Sequence, residues 1–206
     1  MNLIRKILFP IVPIYQSVTW LRNWCFDKHI FKSKVYNFPI ICVGNLSVGG
    51  TGKTPMIEYL LRLLKENYNV ATLSRGYKRN TKGFQIANEN SSALTIGDEP
   101  YQFHQKFTDI VVSVDSDRQN GIAELQKMEQ SPDIILLDDA FQHRKVKAGF
   151  NILLTTYDNL YINDFSLPTG NLREPKSGAK RADVIVVTKC PNTISNDDKN
   201  RITSLL

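Results

Sequence analysis

VGNLSVGGTGKTP, Val43 to Pro55, lies between an apolar run (39–44) and an amphipathic one (53–65). Strand, glycine-rich turn and a helix opening at Gly-Lys-Thr form the context of a Walker A phosphate loop. Gly49, Gly50 and Gly52 let backbone N–H groups converge on phosphate oxygens, and the helix that follows adds the positive end of its dipole. Lys53 is expected to reach the β- and γ-phosphates and the Thr54 hydroxyl to hold Mg²⁺, with Thr51 and Pro55 completing the nucleotide-contacting stretch. One position departs from G-x-x-x-x-G-K-[ST]: residue 47 is Ser47 where the pattern asks for glycine.

Outward from this loop, short β-rich runs alternate with helical patterns. The runs are 39–44, 69–74, 109–114, 133–138, 150–155 and 183–188. Most are nearly continuously apolar, as strands buried on both faces of a parallel sheet are, and 53–65 and 118–128 supply crossover helices. The expected class is α/β: a P-loop NTPase-like three-layer domain with a mainly parallel sheet. The run DIILLDD ends in acid, as a second Walker element does, and puts Asp138 and Asp139 at the carboxyl edge of the sheet, where ligands bind. Capping of the following helix is the other use for such acids.

The chain has 206 residues, 42% of them hydrophobic, and a formal net charge of +6. That length buries a core, and the charge favours anionic partners without choosing among them. Cys25, Cys42 and Cys190 offer neither paired spacing nor a zinc pattern, which fits a reducing compartment. The apolar stretch ILFPIVPIY, 7–15, is far shorter than the ~20 residues that span a bilayer and has no cleavage site of the signal-peptide kind. Residues 1–35 read as a hydrophobic helical arm and 36–206 as the P-loop core, with a polar excursion over 78–99. In the arm, Leu3, Ile7, Leu8, Ile11, Ile14, Trp20, Leu21 and Trp24 would give an apolar face flanked by Arg5, Lys6, Arg22 and Lys28. Such a face serves a membrane surface or packs on the protein's own core. Pro10 and Pro13 argue for a broken helix.

The remaining polar clusters are SRGYKR (74–79), GDEP (97–100), Asp117–Arg118, DDAFQHR (138–144) and LPTGNLREP (167–175). Together with the phosphate loop, the apolar arm and RADVIVVTK, they resemble the tetraacyldisaccharide 4'-kinase (LpxK) family, the lipid A kinases of Gram-negative bacteria. Ser47 looks like that family's own variant of the loop. The resemblance implies ATP- and Mg²⁺-dependent phosphorylation of the 4'-hydroxyl of a tetraacylated disaccharide 1-phosphate. It also implies a monomer working peripherally or monotopically at the cytoplasmic leaflet of the inner membrane.

It further implies that Asp98 is the base for the sugar hydroxyl, that Glu99 helps to organise Mg²⁺, and that Asp138 and Asp139 handle the metal. His143 stands between a direct role and a structural hydrogen bond. Arg75, Arg118 and Arg173 are candidates to clamp anionic oxygens, since guanidinium forks fit phosphate. Glu174 would orient Arg173 or simply end the loop ahead of Pro175, and Tyr77 with Lys78 and Arg79 would meet the disaccharide or its 1-phosphate. The family's chain is longer, with a second, smaller lobe after VIVVTK, so the expectation is that partners supplied by that lobe are missing here. The rival reading is a P-loop regulatory NTPase or metallochaperone-like switch. A nucleic-acid-binding ATPase lacks any aromatic-basic motif to support it.

Overall fold

The computed structural model describes residues 9–206. Leu3, Arg5, Lys6, Ile7 and Leu8 of the arm lie outside the described residues. The chain forms two compact units that interleave along the sequence. A sheet unit takes Ser33–Gly44 and Lys53–Asn151, and a loop unit takes the chain up to Lys32, Asn45–Gly52 and Ile152–Leu206.

In the sheet unit the strands run in the order β4 (Gln85–Ile86), β5 (Val111–Val114), β3 (Val70–Ser74), β6 (Ile134–Asp138), β2 (Ile40–Asn45), the last crossing into the loop unit at Asn45. β2, β3, β5 and β6 are mutually parallel, and only β4 pairs antiparallel, with β5. Every residue of β3 and β6 is buried, which is why their sequences are mostly apolar and do not alternate, with Thr72, Ser74 and Asp138 as buried polar members. The excursion over 78–99 therefore returns an edge strand to the sheet. Two residues are too few for a period-2 signal to mark it.

Helix α2 (Lys53–Leu64) turns Ile57, Leu60 and Leu61 inward, the i, i+3, i+4 stripe of a core-facing helix. α5 (Arg118–Gln126) buries Ile122 and Leu125 and comes so close to β3 that a Cβ on Gly121 would stand 2.7 Å from Leu73 Cδ1. α3 (Ala93–Ile96) and α4 (Asp98–Lys106) lie between β4 and β5 in sequence. A small parallel pair, β1 (Lys34–Val35) with β7 (Val146–Lys147), completes the unit.

The loop unit holds α1 (Val12–Asp27), the parallel pair formed by β8 (Phe150–Thr156, from Ile152 onward) and β9 (Val184–Thr188), and α6 (Asn196–Leu205). The two prolines do not break α1. Pro10 falls in a short 3₁₀ turn, Phe9–Ile11, and Pro13 sits in the first turn of the helix, where no intrahelical N–H bond is lost. Val12, Asn23 and Phe26 face inward, while Ile11, Ile14, Val18 and Leu21 form an exposed stripe at spacings of three and four. Trp20 and Trp24, also exposed, stack at 6.5 Å. Among the described residues no helix is long and apolar enough to cross a membrane.

Candidate nucleotide site

Because β2, β3, β5 and β6 are parallel, their carboxyl ends share one edge of the sheet unit. Chain turns there carry Ser74–Tyr77, Asp115–Arg118 and Asp138–Arg144. The end of β2 needs a residue without a side chain: a Cβ on Gly44 would meet Phe141 Cβ at 2.6 Å. Asp139 adopts a left-handed backbone (φ 48°), a conformation aspartate tolerates better than most residues. Lys53, the first residue of α2, extends its Nζ to 3.8 Å from Asp139 Oδ1.

GDEP, which follows no strand, also reaches this edge. Gly97 (φ 96°) packs so closely on the SRGY turn that a Cβ would lie 3.2 Å from the Tyr77 carbonyl and 3.3 Å from Gly76 Cα. Asp98 and Glu99 then open α4, exposed to solvent, and the Thr54 hydroxyl lies 3.4 Å from Glu99 Oε1.

Asp138 is fully enclosed at the end of β6. Burial pushes its carboxyl up to about 7, helped by the negative charges of Glu99 and Asp139 and opposed by Lys53 and by the Ser74 hydroxyl, 3.3 Å from Oδ2. Its Oδ1 is buried and has no hydrogen-bond partner. A buried carboxylate oxygen left open, facing the charges of Asp139 and of Glu99, whose own carboxylate lies 3.4 Å from the Thr54 hydroxyl, fits Mg²⁺. That ion uses one or two protein carboxylates and completes its shell with phosphate oxygens and water. Among the described residues no group of three His, Cys, Asp or Glu could cage a metal alone.

Arg75 and Tyr77 are exposed on this edge, with Lys78 Nζ 5.5 Å from the Tyr77 ring centre. Arg118 is instead 2% exposed and donates NH1 to the carbonyls of Asp115 (2.9 Å) and Ser116 (3.2 Å). Burial, and then the charge of Arg75, lowers its pKa. His143 is half-buried in the turn after β6, where its N–H meets the Ala140 carbonyl at 2.7 Å. Arg79, half-buried, donates NH2 to the Gly83 carbonyl at 2.5 Å and NH1 to the carbonyl of Val114, the last residue of β5, at 3.4 Å.

In the loop unit the phosphate loop is built with positive φ at Gly49 (112°) and Gly52 (88°). Its first half is clipped antiparallel to residues 171–173. Val48 N–H donates to Asn171 O and Arg173 N–H to Leu46 O, both at 2.7 Å, and Ser47 bridges Leu172. Ser47 thus occupies a β-bridge, a conformation that does not call for glycine. Asn45, fully buried, donates Nδ2 to the Ser47 carbonyl (2.7 Å) and to Thr51 Oγ1 (2.8 Å). Thr188, at the end of β9, donates its hydroxyl to the Thr51 carbonyl at 2.8 Å.

Arg173 does not stand free as a clamp: its NH2 donates to the Asn45 carbonyl (3.0 Å) and to Asn45 Oδ1. Glu174 is 2% exposed and does not meet solvent. It accepts from Asn23 Nδ2 of α1 (2.8 Å) and from Arg181 NH2 on both oxygens (2.8 and 2.9 Å). Tyr15 OH, also from α1, donates to the Arg173 carbonyl at 2.8 Å. Beside α1 lies a groove of about 640 Å³ lined by Gln16, Trp20, Phe165, Ser166, Leu172 and Lys176, among others.

With this geometry in view, the similarities are specific. The model of the tetraacyldisaccharide-1-P 4'-kinase family matches residues 4–205. The chain belongs to that family. It is 61% identical over 202 residues to a tetraacyldisaccharide 4'-kinase of Flavobacterium johnsoniae, covering 98% of this chain and 59% of that one. For the enzyme of Flavobacterium psychrophilum the figures are 60% over 206 residues, 100% and 60%, and for that of Bacteroides fragilis 53% over 204 residues, 98% and 54%. A crystal structure of LpxK from Aquifex aeolicus in complex with ATP matches with a TM-score of 0.84 and 39% identity, over 94% of this chain and 63% of that one. The chain therefore spans about 60% of the length of the first two relatives. Its α/β class, with a mainly parallel P-loop sheet, agrees with that neighbour.

Asn45 and Lys189 carry no Walker signature and were not among the expected site residues. Lys189 has a left-handed backbone (φ 54°), and its Nζ comes 3.9 Å from where a Cβ on Gly50 would stand. The sequence signal available for Asn45 is local: a short amide just before a tight loop commonly bonds main chain two residues on.

Proposed function

We propose that this chain carries the nucleotide-binding and phosphoryl-transfer machinery of an ATP-dependent kinase that phosphorylates the 4'-hydroxyl of tetraacyldisaccharide 1-phosphate, a step of lipid A biosynthesis. The observation that carries the reading is the meeting of Lys53, Thr54, Glu99, Asp138 and Asp139 at one edge of the sheet unit, with exposed Asp98 next to Glu99 at the start of α4. A metal-assisted phosphoryl transfer needs that set: a cation for the phosphates, a hydroxyl and a carboxylate for Mg²⁺, and an exposed carboxylate nearby for the acceptor.

In this reading Gly49–Pro55 bind the ATP phosphates and Lys53 neutralises charge on the transferring group. Thr54 and Asp138 hold Mg²⁺, directly or through water, with Glu99 and Asp139 orienting that assembly. Bound there, the ion neutralises charge on the phosphate oxygens. The 4'-oxygen forms the new bond to the γ-phosphorus as the bond to ADP breaks, and Asp98 takes the hydroxyl proton. Arg75 and Tyr77, exposed beside Asp98, are placed for the anionic sugar, whereas Arg118 and Glu174 act from inside the fold. His143 supports the turn that carries Asp138 and Asp139.

The exposed apolar stripe of α1 and its two tryptophans support a peripheral or monotopic attachment to the cytoplasmic leaflet of the bacterial inner membrane. The kinase works there as a monomer, with no nucleic acid partner. The deciding assay supplies radiolabelled ATP with and without disaccharide 1-phosphate in mixed micelles. Label in the lipid, dependent on Lys53 and Asp98, supports the kinase. ATP hydrolysis indifferent to the lipid would favour the regulatory NTPase and sink the proposal.

A further inference from the structure

The Walker loop of this chain is shaped by a side-chain clamp that no phosphate-loop pattern contains. Asn45 is fully buried and uses three of its amide contacts at once. Its two N–H groups go to opposite limbs of the loop, the Ser47 carbonyl before the glycines and Thr51 Oγ1 between them. Its Oδ1 accepts from Arg173 NH2, which also bonds the Asn45 carbonyl and so fixes which way round the amide sits. Thr51 is held from its other side by the Thr188 hydroxyl. A glycine-rich loop has much conformational freedom to lose, and one that must present several N–H groups to a phosphate benefits from paying that entropy before the ligand arrives.

We infer that Asn45 is a positioning residue for the nucleoside triphosphate, acting through Thr51 and oriented by Arg173, and that it sets the shape in which the loop meets the phosphates. This rests on the nucleotide reading above and adds to it a residue outside the Walker motif. Arg173 acts on the same path: its guanidinium reaches the loop through Asn45, and its main-chain carbonyl is tied to Tyr15 of α1.

The test is Mg-ATP affinity, by calorimetry, for the wild-type chain and for Lys53→Ala, Asn45→Ala, Asn45→Asp, Arg173→Ala, Thr51→Val, Thr51→Ser and Asn45→Ala/Arg173→Ala. Asn45→Ala and Thr51→Val are each expected to weaken binding ~10-fold through lost buried hydrogen bonds. Asn45→Asp keeps the acceptor for Arg173 but cannot donate to Ser47 and Thr51, so it is not expected to rescue. Thr51→Ser keeps the hydroxyl and is. Because Asn45 and Arg173 lie on one path, the double variant should lose about what the worse single variant loses rather than the product.

A merely structural role would lower thermal stability without distinguishing Thr51→Ser from Thr51→Val in affinity. Should Asn45→Ala fail to fold, the Thr51 pair decides alone. If Thr51→Val binds within about twofold of wild type while Lys53→Ala is weakened, the clamp is refuted and the nucleotide reading stands. A folded wild-type chain that does not bind Mg-ATP overturns both.

Discussion

The phosphate loop and the acidic edge of the sheet unit are built on opposite plans. Along Asn45–Gly52 the protein satisfies itself: Asn45 bonds three partners, the Thr51 hydroxyl and carbonyl are both engaged, and the backbone of 46–48 is clipped to 171–173. Around Asp138 it leaves valence open. That carboxylate is buried with one oxygen unbonded and its pKa pushed up to about 7, and Asp98 and Glu99 face solvent. The loop is finished before ligand binds, whereas the acidic edge needs ligand to finish it. A substitution in the loop should therefore move binding and stability together, and one at the edge should separate chemistry from stability.

The largest separation is expected at Asp98. Asp98→Asn removes a solvent-facing carboxylate, so folding should be unchanged while 4'-phosphorylation falls by the ~10²–10⁴-fold typical of general-base assistance. Steady-state transfer measured beside a melting curve checks this. A folded variant with full activity would place the base elsewhere. Lys53→Ala comes next. One preorganised cation removed from the transferring group costs about 10²–10³-fold in turnover, and its 3.8 Å contact with partly exposed Asp139 is too loose for its loss to unfold the chain.

Much of this contrast could be read from the residues. Continuous apolar runs marked the parallel strands because inner strands are buried on both faces, and Gly-Lys-Thr after a strand marked the loop. The position of GDEP could not be read, since it depends on Gly97 closing against Gly76, a contact between residues about twenty apart with no period to betray it. Arg118 and Glu174 misled for a related reason. A charged residue beside a strand end looks like a ligand contact until burial is known, and here both are 2% exposed and engaged with internal partners. Asn45 escaped because the partner that orients its amide, Arg173, lies more than a hundred residues away, and a local amide–loop bond alone does not mark a site.

A smaller effect separates the two faces of α1. Val18→Ser on the exposed stripe should alter stability by less than ~0.5 kcal/mol, as surface changes do. Asn23→Ala, which strips a hydrogen bond from buried Glu174, should cost ~1–3 kcal/mol. Co-sedimentation with anionic vesicles should reverse the order, Val18→Ser losing up to ~10-fold in partitioning and Asn23→Ala little. Equal vesicle binding by both would mean the stripe does not meet lipid.

The stability effect at Asp138 is the most discriminating, because its sign is unusual. Asp138→Asn should abolish most transfer yet raise the melting temperature of the ligand-free chain at pH 8. The folded protein holds this carboxyl at about 7, above the ordinary carboxylate value of 3.8, so the native state resists the charge that the unfolded chain carries freely. Below pH 3.8 the group is protonated in both states and Asp138 has no ionic cost. As pH rises towards 7 the unfolded state loses its proton first, and the wild-type chain gives up stability throughout that window. An uncharged amide of the same shape removes the cost, so the gain should be near zero below about pH 3 and reach at least the ~2–4 °C expected per kcal/mol at pH 8. Saturating Mg-ATP should shrink the gain or reverse it, since ligand then rewards the carboxylate in the wild-type chain alone. A variant less stable than wild type at pH 8 without ligand would mean that Asp138 is already satisfied inside the fold, and the contrast with the phosphate loop would disappear.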